Sequence, residues 1–292
     1  MTDTRQPIAS GTFYPDNPER CRREAGVLLE SGKIDTRPEG DIRGGLVPHA
    51  GWVFSGRLAA MTLKTLCEPI PPATVVFFGA DHSGCVQRAE VYDRGAWATP
   101  LGAAQIDTRA AEALLTCGAP FRSNPGAHGR EHSIEVQIPL LQTLCPGAKI
   151  LPIAVPPTDL AVEIGRALIC ALAEIDYRWV IAGSTDLTHH GGPRFGSPGG
   201  AGQAGLDYSV SNDRKILDLI EAMDADQIVP HARARRNACG AGAIAATVAA
   251  CGELGASVGH TLGYANSQEI MRKIAPNQND DTTVGYASVV FA

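Results

Sequence analysis

Short runs of β-branched and aromatic residues recur along this chain, separated by stretches with helical spacing, and that alternation constrains the fold more than any other feature. Strands are expected at Ile42 to Val47, Thr74 to Phe78, Lys149 to Val155, Trp179 to Gly183, Ser257 to Tyr264 and Thr283 to Phe291. Helical patterns cover Asn17 to Leu29, Ser55 to Cys67, Thr108 to Thr116, His132 to Leu144, Leu160 to Glu174, Asp213 to Met223 and Ala241 to Cys251. The pattern is that of an α/β protein, a central mixed or parallel β-sheet flanked by helices. The first helix is well announced, because Asn17 can cap it and Pro18 suits a position whose N–H has no helical partner.

No composition shift divides the 292 residues and no period repeats, so one domain spanning 1–292 is expected. A chain of this length buries roughly three quarters of its unfolded surface and needs no cross-links for stability. The net charge of −6 argues against nucleic acid as a partner, since phosphate recognition draws on clustered Lys and Arg. Arg233, Arg235 and Arg236 form one local basic spot. The eight cysteines are scattered without a CxxC pair, the first residues are polar, and no apolar run approaches the ~18 residues of a membrane span. Reduced thiols in a cytoplasmic protein are therefore expected.

Three of the eight histidines share one context. His49 follows the strand ending Leu46-Val47, His82 follows Val75-Val76-Phe77-Phe78, and His189 follows Val180-Ile181-Ala182, each with glycine close behind. In open α/β sheets the ligand crevice lies beyond the carboxyl ends of the strands, so parallel strands would bring the three rings to one edge. A lone histidine after a strand is usually part of the core edge; three at equivalent positions point to a site. Asp81 and Asp186 could each accept the far ring N–H of a liganding imidazole, or could equally be caps. His132 and Glu135, three apart at the start of an expected helix, would face the same way as a metal pair or an acid/base couple. An N-terminal acidic turn favoured by the helix dipole explains Glu131 equally well. Cys239 follows two arginines and precedes an Ala-rich helix, a setting that favours thiolate and suits either a soft metal or nucleophilic attack. The weak dinucleotide-like pattern Gly240-x-Gly242-x-x-Ala245 lacks a preceding strand, and no phosphate loop or nucleophile elbow is present. Gly191 to Gly205, with seven glycines and two prolines, reads as a loop following a strand end, either a lid or a surface excursion.

These residues together resemble the Memo family, also called AmmeMemoRadiSam system protein B. The blocks that carry the resemblance run in family order over almost the whole chain. They are Ala9-Ser10-Gly11-Thr12-Phe13-Tyr14-Pro15, Pro48 to Gly56, Gly79-Ala80-Asp81-His82, Glu131 to Glu135, Ser184 to Gly191, Cys239-Gly240, Tyr264 to Ser267 and Gly285-Tyr286-Ala287. The resemblance implies a fold like that of class III extradiol dioxygenases, which are non-haem iron enzymes. It also implies a mononuclear metal held by His49, His82 and Cys239, with His189 as a further site histidine and His132 and Glu135 near the same pocket. Cys239 stands where a dioxygenase would place a carboxylate, which weighs against ring cleavage, and Asp81-His82-Ser83 departs from the Ser-His-His of animal members.

Three readings follow. The leading one is a metal-dependent redox protein holding Fe(II), or copper, through His49, His82 and Cys239. In it His189 acts as acid/base, and His132 and Glu135 support it. The second is a hydrolase in which Zn²⁺ activates water and Glu135 or His189 is the base. The third is a binding module, as animal Memo proteins are described as mediators of motility that bind signalling partners. A small molecule or a peptide would suit the cleft, and the resemblance implies radical-SAM and Amme-component partner proteins.

Overall fold

The computed structural model describes residues 4–34, 36–276 and 281–292. In chain order the strands are β1 (Thr4–Arg5), β2 (Gly44–Val47), β3 (Thr74–Gly79), β4 (Ala89–Val91), β5 (Ala96–Thr99), β6 (Gly102–Gln105), β7 (Phe121–Ser123), β8 (Lys149–Ala154), β9 (Trp179–Ser184), β10 (His189–His190), β11 (Gly259–Asn266) and β12 (Thr283–Phe291). The helices are α1 (Pro18–Ser31), α2 (Trp52–Cys67), α3 (Thr108–Cys117), α4 (Ile138–Leu144), α5 (Leu160–Ala171), α6 (Gly192–Phe195), α7 (Gly202–Glu221), α8 (Ala225–Arg235), α9 (Ala241–Glu253) and α10 (Ser267–Ile274).

The main sheet runs β10-β12-β2-β9-β3-β8-β4-β7, with β11 also paired to β12, and is mixed. Its centre, β2-β9-β3-β8, is parallel, while β12 and β4 join antiparallel on either side. A small sheet, β1-β5-β6, lies apart. Parallel strands are covered on both faces and so read as continuous apolar runs. In β3 every residue is buried, and its side chains alternate between two cores as the strand period of two requires. Val76 and Phe78 join Leu151, Ile153 and Ile181 under α5, α8 and α9; Val75 and Phe77 join Ile150, Val180 and Ala182 under α1, α2 and α4. The result is a three-layer helix, sheet, helix arrangement in which all four central strands point their carboxyl ends at one edge.

The Ala-rich helix α9 comes down on that edge because glycines remove the obstacles. A Cβ at Gly240 would strike Ser184 O, one at Gly242 would strike Pro156 O, and one at Gly183 would strike the Thr247 hydroxyl. Each is a backbone-close approach that only glycine allows. Cys239 thus arrives beside the ends of β2 and β9.

Several elements depart from the sequence pattern. The helix expected from His132 begins instead as a 3-10 turn at Glu135–Gln137 and becomes α4 only at Ile138, because Pro139 suits the first turn of a helix and not its interior. Helix α7 starts at Gly202, well before Asp213, so the glycine-rich stretch 191–205 is helical at both ends. Helix α8 was hidden by Pro230 within it. The short strands β1, β4 to β7 and β10 carry too few residues to show a period. Among the described residues no helix is long and apolar enough to cross a membrane.

If α9 is seated by these close approaches, Gly242→Ala forces the helix off Pro156 and costs about 1–3 kcal/mol, the usual range for overpacking. Urea unfolding should show a lower midpoint with an unchanged slope.

Candidate functional site

The carboxyl ends of β2, β3 and β9 bring His49, His82 and Cys239 together. One ligand atom from each lies within 4.8 Å of the other two, and a second such group, His82, Glu131 and His132, adjoins it through the shared His82. His49 packs edge-on against His82 and His132, with ring centroids 5.2 and 5.4 Å away, while His82 and His132 stack at 4.7 Å. Phe13 closes the far side of His132 at 4.7 Å.

The hydrogen bonds define which nitrogen of each ring is bare. Ser184 Oγ lies 2.8 Å from the Ser133 carbonyl, which can only accept, so the hydroxyl proton is spent there. Its oxygen therefore accepts from His49 Nδ1–H at 2.9 Å. His82 Nδ1–H donates to the Glu131 carboxylate at 3.0 Å, and His189 Nδ1–H donates to the Leu187 carbonyl at 2.9 Å. In all three rings Nδ1 is committed to an acceptor, which turns Nε2 outward as a liganding or proton-accepting atom. His49 Nε2 faces Cys239 Sγ at 3.1 Å.

Burial sets the electrostatics. His49 is held below the usual histidine range by burial and then by the neighbouring His82 and His132. His82 is also penalised by burial, but its hydrogen bonds to Cys239 and Glu131 outweigh that and push it up to about 10. Glu131 is held below the carboxylate range, with the His82 pair overcoming its own burial. Burial pushes the Cys239 thiol up, against a downward pull from His82. This corrects the expectation of a thiolate favoured by arginines, since Arg235 and Arg236 are exposed and what stabilises a charged sulfur here is His82. A proton and a metal ion compete for the same atoms in such a site.

The two aspartates do not accept a ring N–H. Asp81 caps its own turn, accepting from Ser83 N at 3.1 Å, Ser83 Oγ at 2.6 Å and Val86 N at 2.9 Å. Asp186 is buried and pushed up to about 7, burial being the main cause. Its carboxylate accepts from the His49 backbone N–H at 2.7 Å, and its own backbone pairs with Cys239: Cys239 N donates to Asp186 O at 3.2 Å and Asp186 N to Cys239 Sγ at 3.3 Å. Asp186 therefore fixes the two loops rather than an imidazole.

Glu135 is likewise elsewhere. Its carboxylate accepts from Arg5 Nη1 at 2.7 Å, Ile8 N at 3.0 Å, Ala9 N at 2.8 Å and Tyr14 Oη at 2.8 Å. It gathers the N-terminal segment and so holds Phe13 over His132, but it does not share the pocket with His132. His132 precedes the first helical residue, Glu135, so the i,i+3 helical spacing that would have aligned the two does not apply. His190 also lies outside the pocket, where its Nε2 accepts from Gly199 N at 3.3 Å and pins the glycine-rich stretch. Phe195 of that stretch packs against His189 at 4.9 Å.

Glu131, Ser184 and Ser133 orient the site, and sequence reasoning had not singled out any of them for that role. Glu131 carried one legible signal, its place beside His132; the two serines carried none.

The fold and site together define a mixed α/β protein with a His-His-Cys pocket at the strand ends. The chain belongs to the Memo family: the family model for Memo-like protein matches residues 5–290. It is similar to a MEMO1 family protein of Methanopyrus kandleri, 36% identical over 297 residues and 98% of each chain. It is also similar to one of Thermococcus onnurineus, 33% identical over 98% of this chain and 99% of that one. The crystal structure of an uncharacterised Escherichia coli K12 protein shares the fold, with a TM-score of 0.52 at 11% identity over 86% of this chain and all of the other.

If Glu135 serves the N-terminal segment alone, Glu135→Ala leaves Arg5 buried and unpaired and destabilises by about 3–5 kcal/mol. Thermal melting should show the loss, while metal uptake per folded chain stays at the wild-type level.

Proposed function

We propose that the protein is a mononuclear metal-dependent redox protein in which His49, His82 and Cys239 hold Fe(II), with copper as the alternative ion. The observation that carries this reading is the donor set itself. It comprises two imidazoles whose Nδ1 atoms are committed elsewhere and a half-buried cysteine whose sulfur lies 3.1 Å from one bare Nε2. Nitrogen and sulfur bound to one first-row ion at about 2.1 and 2.3 Å stand roughly 3.1–3.6 Å apart for ordinary bond angles, so the residues fit the group. A thiolate in place of a carboxylate softens the site and suits Fe(II) or Cu(I). It also sets the site apart from the two-His, one-carboxylate arrangement of non-haem iron oxygenases.

Iron held there would supply one-electron and oxygen chemistry. The protein's own contribution is orientation and proton handling. Ser184 and Glu131 keep His49 and His82 in the liganding tautomer. His189, with Nδ1 tied to Leu187 O, offers Nε2 to accept or return a proton, and burial holds its pKa below the usual range so that the neutral base is favoured. His132, sandwiched between Phe13 and His82, forms a wall of the pocket.

The bare Nε2 of His189 also supports a second reading, a Zn²⁺ hydrolase with His189 as general base. Glu135 takes no part in it, because its oxygens are engaged by Arg5, Tyr14 and the backbone.

Metal analysis of tag-free protein should find bound metal in wild type and its loss in Cys239→Ala; metal content unchanged by that substitution would overturn the Cys239 assignment. Anaerobic reconstitution with Fe(II), then with Zn²⁺, followed by oxygen-uptake measurements across a substrate panel separates the two readings. Uptake with Fe(II) alone supports the redox protein, and none with either ion favours the hydrolase.

A further inference from the structure

Behind the pocket, the turn of α7 at Asn212 and Asp213 meets both loops that bring His189 and Cys239 to the site. Asn212 is buried, and its side-chain nitrogen donates to Thr188 Oγ1 at 3.1 Å and to Arg235 O at 3.0 Å. Thr188 immediately precedes His189. Arg235 ends α8, where carbonyls have no helical partner, and Arg236 turns through a left-handed conformation (φ 53°) into the Cys239 loop. The neighbouring groups tie the same two loops. Asp213 accepts from Thr188 N at 2.8 Å and from Tyr264 Oη at 2.7 Å, and Asn237 Nδ2 donates to Asn212 O at 2.9 Å.

We propose that Asn212 is a positioning residue that fixes the distance between the His189 loop and the Cys239 loop. One planar NH₂ group has two hydrogens, and two acceptors served by them stand about 5 Å apart. Both loops can satisfy the same nitrogen only at that separation. The His189 loop is tied to the sheet where β10 pairs with β12, but the Cys239 loop between α8 and α9 belongs to no strand, so the sheet alone does not set their separation. Direct contacts between Asp186 and Cys239 join the loops at the pocket; Asn212 joins them again from behind, which prevents either from pivoting about the front contact. Asp213, held against the closely approaching Gly285, keeps the α7 turn itself in place.

The metal arm of the test rests on the reading of the pocket given above, and the exchange arm does not. Wild type, Asn212→Ala, Thr188→Val and Thr188→Ser are compared by hydrogen exchange of the metal-free protein and by titration with Co(II), whose thiolate charge-transfer absorption reports Cys239. Asn212→Ala is expected to speed exchange in both loops, residues 186–191 and 236–240, with the central strands unchanged. It should weaken Co(II) at least tenfold with an altered spectrum. Thr188→Val, which removes one acceptor, should loosen the 186–191 loop, and Thr188→Ser, which keeps the hydroxyl, should behave as wild type. Wild-type exchange in both loops of Asn212→Ala overturns the proposal, as does faster exchange spread evenly through the sheet. Should Asn212→Ala not fold, the Thr188 pair decides: equal behaviour of Val and Ser overturns the brace. If wild type takes up no Co(II), the metal reading fails while the exchange measurement still decides the role of Asn212.

Discussion

The close contact between the start of α9 and the end of β9 is the constraint from which the pocket follows. Gly240 N donates to Thr185 Oγ1 at 3.0 Å, and the absence of a side chain at Gly240 lets the backbone rest on Ser184 O. That contact carries Cys239 to within 3.1 Å of a histidine 190 residues away in the chain. Gly242 and Gly183 repeat the device two residues on and one strand residue back, so the helix is located by several steric approaches at once. Side-chain packing alone would leave α9 free to slide, because its alanines offer few knobs to lock it.

Around that contact the protein commits its polar groups in one direction. Ser133 O takes the Ser184 proton, Ser184 takes that of His49, Glu131 takes that of His82, and Leu187 O takes that of His189. An imidazole left to choose its tautomer would present either nitrogen to the pocket. Here each is oriented before any ligand arrives, which lowers the cost of binding by removing a rearrangement. The chain Ser133, Ser184, His49 also links three segments that are distant in sequence, so the same bonds that define the tautomer help to hold the strand ends together.

Much of this was legible in the residues. The six longer strands, most helices, the convergence of His49, His82 and His189 on one edge, and the singular position of Cys239 follow from apolar runs, glycines and chain order. Two expectations failed for related reasons. Asp81 stands next to His82 and Asp186 three residues before His189, and so both were natural candidates to orient a ring, yet each carboxylate turns to backbone N–H groups. The orienting groups instead come from 49 residues away for His82 and 135 residues away for His49. Glu135 was paired with His132 on the assumption of one continuous helix, whereas the helical turn begins only at Glu135 and leaves His132 outside it.

By itself the sequence determined the α/β architecture, the strand-end histidines and the membership of the Memo family, because hydrophobic periodicity and short motifs are local and survive without knowledge of the partners. Only the tertiary structure decided which groups face them. The order β2-β9-β3-β8, the seating of α9 by glycine, the assignment of Glu131 and Ser184 to the imidazoles and the gathering of Glu135 by the N-terminal segment all depend on contacts between distant residues. A hydrogen bond of 3 Å carries no trace in the sequence between its ends.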